Sequence, residues 1–185
     1  MEGKEVNMSR IKKLVIEMKE LAIIILMILL FSTFIVSQNK IPSPSMVNTL
    51  YVGDRLLVSQ IPFYYRLPQR GEVVVFNGPD GKPWIKRVVG MPGEVIDIKE
   101  GNIYINGDYF DETNYLSEPG FSTLDPTKET VLTFPYQVPE GHYFLLGDNR
   151  LESTDCRYIG AIAADEITGK AFLRIYPFNQ IGRIK

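Results

Sequence analysis

The sequence has very few residues of the kinds that bind metals or form covalent cross-links. Its 185 residues include one cysteine, Cys156, and one histidine, His142. A single cysteine excludes an intrachain disulfide, so an exported domain would have to fold without that cross-link. Zinc sites built from several cysteine and histidine ligands are not expected, and neither a metal nor another cofactor is predicted. The formal net charge is only −2, which gives no reason to expect a nucleic-acid partner.

Turn-forming and aromatic residues, in contrast, are abundant. The chain has 15 Gly, 12 Pro, 10 Tyr and 10 Phe, a composition that favours a β-rich fold with many turns. Short apolar runs bounded by turn residues predict strands at 55–59, 71–76, 84–89, 94–99, 102–105, 143–146 and 170–176. We therefore predict an all-β, antiparallel domain of barrel-like or sandwich-like form. Its core would comprise residues 40–110 and 136–185, with 111–135 as a surface excursion.

The one long apolar stretch lies near the N-terminus. Residues 21–39 carry no charge and are apolar almost throughout from Leu21 to Val36. At about 1.5 Å rise per residue, a helix of this length just spans a hydrocarbon core of roughly 30 Å. We predict a transmembrane anchor over 21–39, preceded by a helical segment over 1–20. A cleaved signal peptide is the alternative, although the residues at 34–37 do not offer the small-x-small exit of such peptides.

The basic residues are distributed unevenly around this predicted anchor. Only Lys40 and Arg55 follow it within about twenty residues. More of them precede it, namely Lys4, Arg10, Lys12, Lys13 and Lys19. The positive-inside rule then predicts a cytoplasmic N-terminus, a single pass through the lipid bilayer and an extracytoplasmic domain over 40–185.

Two serines follow the apolar stretch, in the segment Ser43-Pro44-Ser45-Met46, and Pro42 and Pro44 are expected to hold the chain extended there. A serine hydroxyl is a poor nucleophile until a base removes its proton. No glycine elbow surrounds Ser45, which disfavours the α/β-hydrolase arrangement. A Ser-His-Asp triad would need His142, which borders the predicted strand 143–146. A packing or surface role is the commoner one for a histidine in that setting.

Lysine is the other candidate base. A lysine accepts a proton only when it is neutral, and burial can lower its pKa from about 10.4 by several units. On a strand over 84–89, the side chains of Trp84, Lys86 and Val88 share one face. That face offers Lys86 an apolar wall, although a half-exposed strand lysine with its amine in water fits the same pattern.

Four segments resemble, in order, the conserved boxes of the type I signal peptidases, the bacterial leader peptidases. The segments are Pro42–Leu50, Arg70–Phe76, Lys86–Glu94 and Gly147–Arg157. They follow an N-terminal anchor, as in the family, and the resemblance extends from Pro42 to the end of the chain. It implies a bacterial, membrane-bound serine endopeptidase that removes N-terminal signal peptides from exported preproteins. It also implies small residues at the first and third positions before the cleaved bond.

The resemblance also assigns roles to individual residues. Ser45 would be the nucleophile and Lys86 the general base of a Ser/Lys dyad that works through an acyl-enzyme. The Ser43 hydroxyl and the Ser45 backbone N–H would form the oxyanion hole, and Ser153 would orient the lysine. Further support would come from Asp148, Asp155 and Arg157. The substrate pockets would be lined by Ile41, Pro42, Met46, Leu50, Trp84 and Ile85.

Three positions depart from the family pattern. Asn48 stands where proline is usual, which would loosen the turn after the nucleophile; Glu94 stands where aspartate is usual, and Cys156 where serine is frequent. None of these is a catalytic group, so an active enzyme is expected. Its partners would be preproteins and the lipid bilayer, and it would act as a monomer.

Two alternatives remain beside this interpretation. The first is a catalytically silent, anchored β domain that binds partners outside the cell. The second is a Ser/Lys self-cleaving regulator of the repressor type, which the predicted anchor and the lack of a DNA-binding segment disfavour.

Overall fold

The computed structural model describes residues 2–34, 36–116, 122–125, 127–130 and 132–184. The chain divides into two compact units, Met1–Ser37 and Gln38–Lys185. The first is dominated by helix α1, Glu2–Phe34, which joins the two N-terminal segments that the sequence pattern separated at residue 20. Among the described residues, no helix combines the length and the apolar composition that crossing a membrane requires.

Helix α1 ends before the predicted boundary of the anchor at residue 39. Strand β1 occupies Val36–Lys40 and lies beside strand β2, Arg55–Ser59, at the edge of a large sheet. The polar residues of the predicted anchor, at 37–39, therefore belong to a strand.

The second unit is built mainly from two antiparallel sheets. The remaining strands are β3 (Val73–Asn77), β4 (Pro83–Gly90), β5 (Val95–Lys99), β6 (Asn102–Ile105), β7 (Asp108–Tyr109), β8 (Tyr136–Gln137), β9 (His142–Leu146), β10 (Ile162–Ala163), β11 (Ile167–Tyr176) and β12 (Gly182–Arg183). The large sheet has the order β1-β2-β11-β3-β4-β9-β10, with β12 paired to β11, and the small sheet has the order β7-β6-β5-β8. The prediction of a mostly β, antiparallel fold is confirmed.

Short helices account for most of the differences from the predicted elements. Helix α2, Ile61–Tyr65, lies between the predicted strands 55–59 and 71–76, and neither it nor helix α3, Cys156–Ile159, was predicted. Asp155 caps the start of helix α3, and its carboxylate accepts a hydrogen bond from the backbone N–H of Arg157. Elements of four or five residues are too short to show a helical period, so only local capping could have indicated them.

Strand β3 lies between two hydrophobic clusters and separates them. Val74 and Phe76 pack into one cluster, whereas Val73 and Val75 pack into the other. An uninterrupted apolar run is typical of a strand that is buried on both faces. In the neighbouring strand, Lys86 pairs with Val74, which places the lysine in the interior of the large sheet.

The predicted surface excursion at 111–135 is partly buried. Glu112 and Ser122 are buried, and both accept hydrogen bonds from Arg150, at 2.7 Å and 2.6 Å. A buried guanidinium needs hydrogen-bonding partners, and the excursion supplies them. The polarity of 111–135 gave no sign of these contacts, because the buried cation that they satisfy lies elsewhere in the chain.

Candidate active site

The segment with the two serines forms a compact turn. Ser45 lies in a single turn of 3-10 helix, Pro44–Met46, and is only 6% exposed. The backbone N–H groups of Thr49 and Leu50 donate to the carbonyl of Met46, at 3.1 Å and 2.7 Å. The turn is thereby fixed against the core, with the hydroxyl of Ser45 at one end.

The structure brings Lys86 directly to this hydroxyl. The Nζ atom of Lys86 lies 2.8 Å from Oγ of Ser45 and 3.0 Å from the carbonyl oxygen of Ile85. The lysine is 4% exposed, and its Nζ lies 5.5 Å from the centroid of the Trp84 ring. The apolar wall that the strand pattern indicated is therefore present, and the amine is not in water.

Burial changes the protonation of this lysine. Removal of the amine from water lowers the pKa of Lys86 from 10.5 to about 8, although Asp155 and Asp148 act in the opposite direction. At a pH near 8, about half of the lysine side chains are therefore neutral. A neutral amine within hydrogen-bonding distance of a serine hydroxyl can accept its proton.

Asp148 contacts residues 44–50, the nucleophile turn, named for the predicted nucleophile Ser45. Its carboxylate accepts from the Nε and Nη2 atoms of Arg87, at 2.9 Å and 2.6 Å, and from the hydroxyl of Thr49 at 2.5 Å. Both charges are buried, and each neutralises the other. This network links strand β4, which carries Lys86, to the turn that carries Ser45. Thr49 and Arg87 were not among the predicted site residues.

Asp155 and Arg157 form the second buried ion pair of the site. The carboxylate of Asp155 accepts from Nε and Nη2 of Arg157, at 2.8 Å and 2.9 Å, and from the backbone N–H of Gly147 at 3.0 Å. Burial alone would raise the pKa of Asp155, but the charge and hydrogen bonds of Arg157 hold it below its usual value. Arg157 also donates to the carbonyl of Arg150. The pair therefore shapes the loop that lies against the nucleophile.

That loop approaches Ser45 very closely at Gly147. A Cβ atom on Gly147 would lie 2.2 Å from Oγ of Ser153 and 2.5 Å from the carbonyl oxygen of Ser45. Only glycine fits at this distance without displacing the turn. Two residues further along, Asn149 donates from its backbone N–H to the Ser45 carbonyl at 3.0 Å and from Nδ2 to the Pro44 carbonyl at 3.2 Å. Neither residue was predicted to belong to the site.

The two supporting serines are placed differently from each other. Oγ of Ser43 lies 3.4 Å from Oγ of Ser45, on the exposed side of the turn. Oγ of Ser153 is buried and makes no well-formed hydrogen bond with a described residue, although the serine helps to lower the pKa of the nearby Asp155 carboxyl. The expected hydrogen bond from Ser153 to Lys86 is therefore not formed, and the lysine amine bonds to Ser45 and Ile85 instead.

An open cleft of about 470 Å³ adjoins the Ser45 hydroxyl. Pro42, Trp84 and Ile85 line it, and Ile41 lines an adjoining cavity of about 220 Å³. Asp80, Glu152 and Thr154 also line the cleft and were not predicted.

Met46 and Leu50 do not line these cavities, which corrects the predicted pocket set. Both are completely buried in the same hydrophobic cluster as Ile41. Met46 within the 3-10 turn and Leu50 after it therefore pack the segment around Ser45 onto the core, while the Ser45 hydroxyl lies next to Lys86.

Asn48 has a backbone conformation that proline cannot adopt. Its φ is 91°, in the left-handed region, whereas the proline ring fixes φ near −65°. Asparagine enters this region more readily than most residues. The turn after Ser45 therefore has a shape that a proline at position 48 would not allow, and it is not simply a looser form of a turn with proline there.

His142 is not part of this arrangement. Its Nδ1 atom lies 2.9 Å from the carbonyl oxygen of Glu140, at the start of strand β9. Among the described residues, no group of three or more His, Cys, Asp and Glu side chains is placed to hold a metal ion. Cys156 is buried, and its sulfur accepts a hydrogen bond from the backbone N–H of Leu145 at 3.1 Å.

Comparison with known proteins gives matches over most of the chain. Residues 14–176 match the family described as signal peptidase, peptidase S26. Probable signal peptidase I-2 of Synechocystis sp. is 38% identical over 157 residues, covering 81% of this chain and 67% of that protein. Signal peptidase I T of Bacillus subtilis is 36% identical over 175 residues, covering 90% and 88% respectively. Signal peptidase I S of the same organism is 32% identical over 180 residues, covering 96% and 97%. The chain belongs to the signal peptidase family, peptidase S26.

Proposed function

We propose that this chain is a membrane-bound serine endopeptidase that removes N-terminal signal peptides from exported preproteins. The single observation that carries the proposal is the buried amine of Lys86, 2.8 Å from the hydroxyl of Ser45. A lysine with a pKa lowered to about 8 has a substantial neutral fraction at physiological pH. It can therefore act as the base that a serine nucleophile requires.

The first half of the reaction forms an acyl-enzyme. Oγ of Ser45 attacks the carbonyl carbon of the peptide bond while its proton passes to Nζ of Lys86. The tetrahedral intermediate collapses, the C–N bond breaks, and protonated Lys86 gives its proton to the leaving amine. The signal peptide then remains bound to Ser45 as an ester, and the mature protein leaves with a free N-terminus.

The second half of the reaction releases the signal peptide. Neutral Lys86 takes a proton from a water molecule, which attacks the ester carbonyl, and the Ser45 oxygen leaves with that proton. We assign the hydroxyl of Ser43, together with the Ser45 backbone N–H, to the negatively charged oxygen of both intermediates. Its proximity to Ser45, at 3.4 Å between the two Oγ atoms, supports this role. One such donor typically contributes about 3–4 kcal/mol.

Four residues would support the dyad without touching the substrate. Asp148 would hold the nucleophile turn through Thr49 and Arg87, and Asp155 with Arg157 would hold the loop at Gly147 against Ser45. Ser153 lies beside Gly147, so it would fill the space behind the dyad. Loss of these groups would disturb the geometry of Ser45 and Lys86.

The cleft beside Ser45 suits an extended peptide. The cleft continues past Trp84 and Ile85 towards the cavity at Ile41 and Pro42. The cleft and this cavity are two separate spaces, which could take alternate side chains of a bound strand. The resemblance to the type I signal peptidases supports small residues at the first and third positions before the cleaved bond. Signal peptides of preproteins would therefore be the substrates.

We also propose that helix α1 anchors the protein in a bacterial cell membrane, with residues 40–185 as the extracytoplasmic catalytic domain. Its described side chains from Leu21 to Leu29 are apolar and largely exposed, and the basic residues concentrate before them. The dyad comes from one chain, so a monomer would suffice.

Deletion of 2–34 should release the protein from a membrane fraction, because it removes the proposed anchor. Retention of the shortened protein in the membrane fraction would contradict the proposal.

Cleavage of a preprotein tests the proposed function directly. The full chain, in neutral detergent, is mixed with a preprotein that has alanine at the first and third positions before the cleaved bond. The products are identified by mass spectrometry. We expect one cut at the signal-peptide boundary, and no cut with Ser45→Ala, because the nucleophile is lost. Ser59→Ala, on strand β2 away from the site, serves as the matched control and should cleave normally.

Two outcomes would contradict this function. An unprocessed preprotein that nevertheless binds the wild-type chain would favour the catalytically silent binding domain. Two fragments of the chain itself, with no cut in the preprotein, would favour a self-cleaving regulator.

A further inference from the structure

A second cavity lies outside the catalytic cleft, against the other end of the nucleophile turn. Its volume is about 350 Å³, and it contains the side chains of Arg174 and Arg183. The neutral polar residues of its lining include Asn48, Asn114 and Thr49. None of the residues that line the catalytic cleft belongs to it. It is therefore a separate space with its own chemistry.

The charge in this cavity is positive and not fully compensated. Arg174 is paired with Asp54, at 3.1 Å between Nη1 and Oδ2, and it also donates to the Thr49 carbonyl. Arg183 is exposed and makes no ion pair or side-chain hydrogen bond with any described residue. No aspartate or glutamate lines the cavity. One guanidinium charge thus remains available to a ligand.

The fold places the residues that carry these donors around the cavity. Arg174 lies on strand β11 and Arg183 on strand β12, and the two strands pair with Arg183 opposite Leu173. The amide side chains of Asn48 and Asn114 make no hydrogen bond among the described residues, so they add neutral donors to the lining. Asn48 is held there by its left-handed backbone. Guanidinium and amide groups arranged around one space favour an oxyanion with several acceptor atoms.

We propose that this cavity binds a phosphate group. A phosphate presents acceptor oxygens in several directions, which matches donors from two strands and two loops better than a planar carboxylate does. The group could belong to free phosphate or to the headgroup of a phospholipid, since both present the same oxygens. The proposal does not depend on the proposed peptidase activity.

Titration with inorganic phosphate tests the site. The full chain in neutral detergent is followed by isothermal titration calorimetry, with sodium chloride adjusted to constant ionic strength so that screening does not change. We expect saturable binding, and at least about tenfold weaker binding by Arg183→Gln, because one charged hydrogen bond is lost. The control variant is Lys99→Gln, which removes an exposed lysine from the small sheet and should not change the dissociation constant.

The remaining outcomes separate the ligands. A water-soluble dihexanoyl phosphatidylglycerol that binds more tightly than inorganic phosphate identifies a lipid headgroup, whereas the reverse order identifies free phosphate; both support the site. Binding of acetate as tightly as phosphate would overturn the assignment to a phosphate group. No saturable phosphate binding, or equal binding by wild type and Arg183→Gln, would overturn the site itself.

Discussion

Replacement of Lys86 by methionine is expected to abolish preprotein cleavage and to make the folded protein more stable. Methionine has a similar length but cannot accept the proton of Ser45, so the rate should fall by at least about 10³-fold. Cleavage is measured in a single-turnover assay with excess enzyme, and stability by chemical denaturation at pH 7. The substitution should therefore lower the cleavage rate and raise the free energy of unfolding.

The expected gain in stability follows from the pKa of Lys86. The unfolded chain has a lysine pKa of 10.5 and the folded chain one of about 8, so the unfolded state binds the proton more tightly. Below pH 8 the folded state must bury a charged amine, and this destabilises it by up to about 3 kcal/mol. The free energy of unfolding should rise as the pH increases from about 8 to 10.5. Lys86→Met should be more stable by on the order of 1–3 kcal/mol at pH 7, with this part of the pH dependence removed.

Lys82 provides the matched control, because it lies in the same cleft but its side chain is 79% exposed. Lys82→Met should cleave the preprotein and unfold much as the wild type does. If Lys86→Met retained cleavage, Lys86 would not be the base. If it lost cleavage together with its fold, the loss of activity would no longer identify the lysine as catalytic.

Replacement of Arg157 by methionine should destabilise the protein by about 3–5 kcal/mol. The change leaves the carboxylate of Asp155 buried without its counter-ion, and it removes the hydrogen bonds to the Asp155 side chain and the Arg150 carbonyl. The pKa of Asp155, held low by Arg157 in the wild type, should rise. The measurement is the free energy of unfolding at pH 7, with preprotein cleavage followed in parallel.

Two further variants show whether the unpaired charge of Asp155 causes the loss of stability in Arg157→Met. Arg66→Met removes an arginine from a partly exposed ion pair with Glu72, which keeps Lys170, so it should destabilise by only about 0–1 kcal/mol. Adding Asp155→Asn to Arg157→Met should restore part of the lost stability, since no buried charge then remains. A double variant no more stable than Arg157→Met alone would contradict this explanation.

The sequence predicted the sheets better than it predicted the segments between them. Strand β3 was predicted because an uninterrupted apolar run between turn residues has few alternatives, and the structure buries it on both faces. Helix α3 was missed because its start depends on the side chain of Asp155 and not on a period. The partial burial of 111–135 was also missed, because its cause is Arg150, more than twenty residues along the chain.

The candidate site shows the same division between local and distant causes. Strand alternation was enough to place Lys86 beside Trp84, and the structure shows that contact at 5.5 Å. The sequence could not show that Met46 points into the core, because a turn of three residues is too short to show a repeating pattern of buried positions. The partnership of Arg87 with Asp148 joins residues 61 positions apart, so no spacing rule could have indicated it.

The pH dependence of kcat/KM for a signal-peptide substrate tests the central claim most directly, because it reports the protonation of the free enzyme's base. Only neutral Lys86 can activate Ser45, so cleavage should increase with pH and level off above an apparent pKa near 8. His142→Ala should leave the profile unchanged. A midpoint near 6.5 that is lost in His142→Ala, or one near the ordinary lysine value of about 10.4, would contradict the assignment of Lys86 as a base activated by burial.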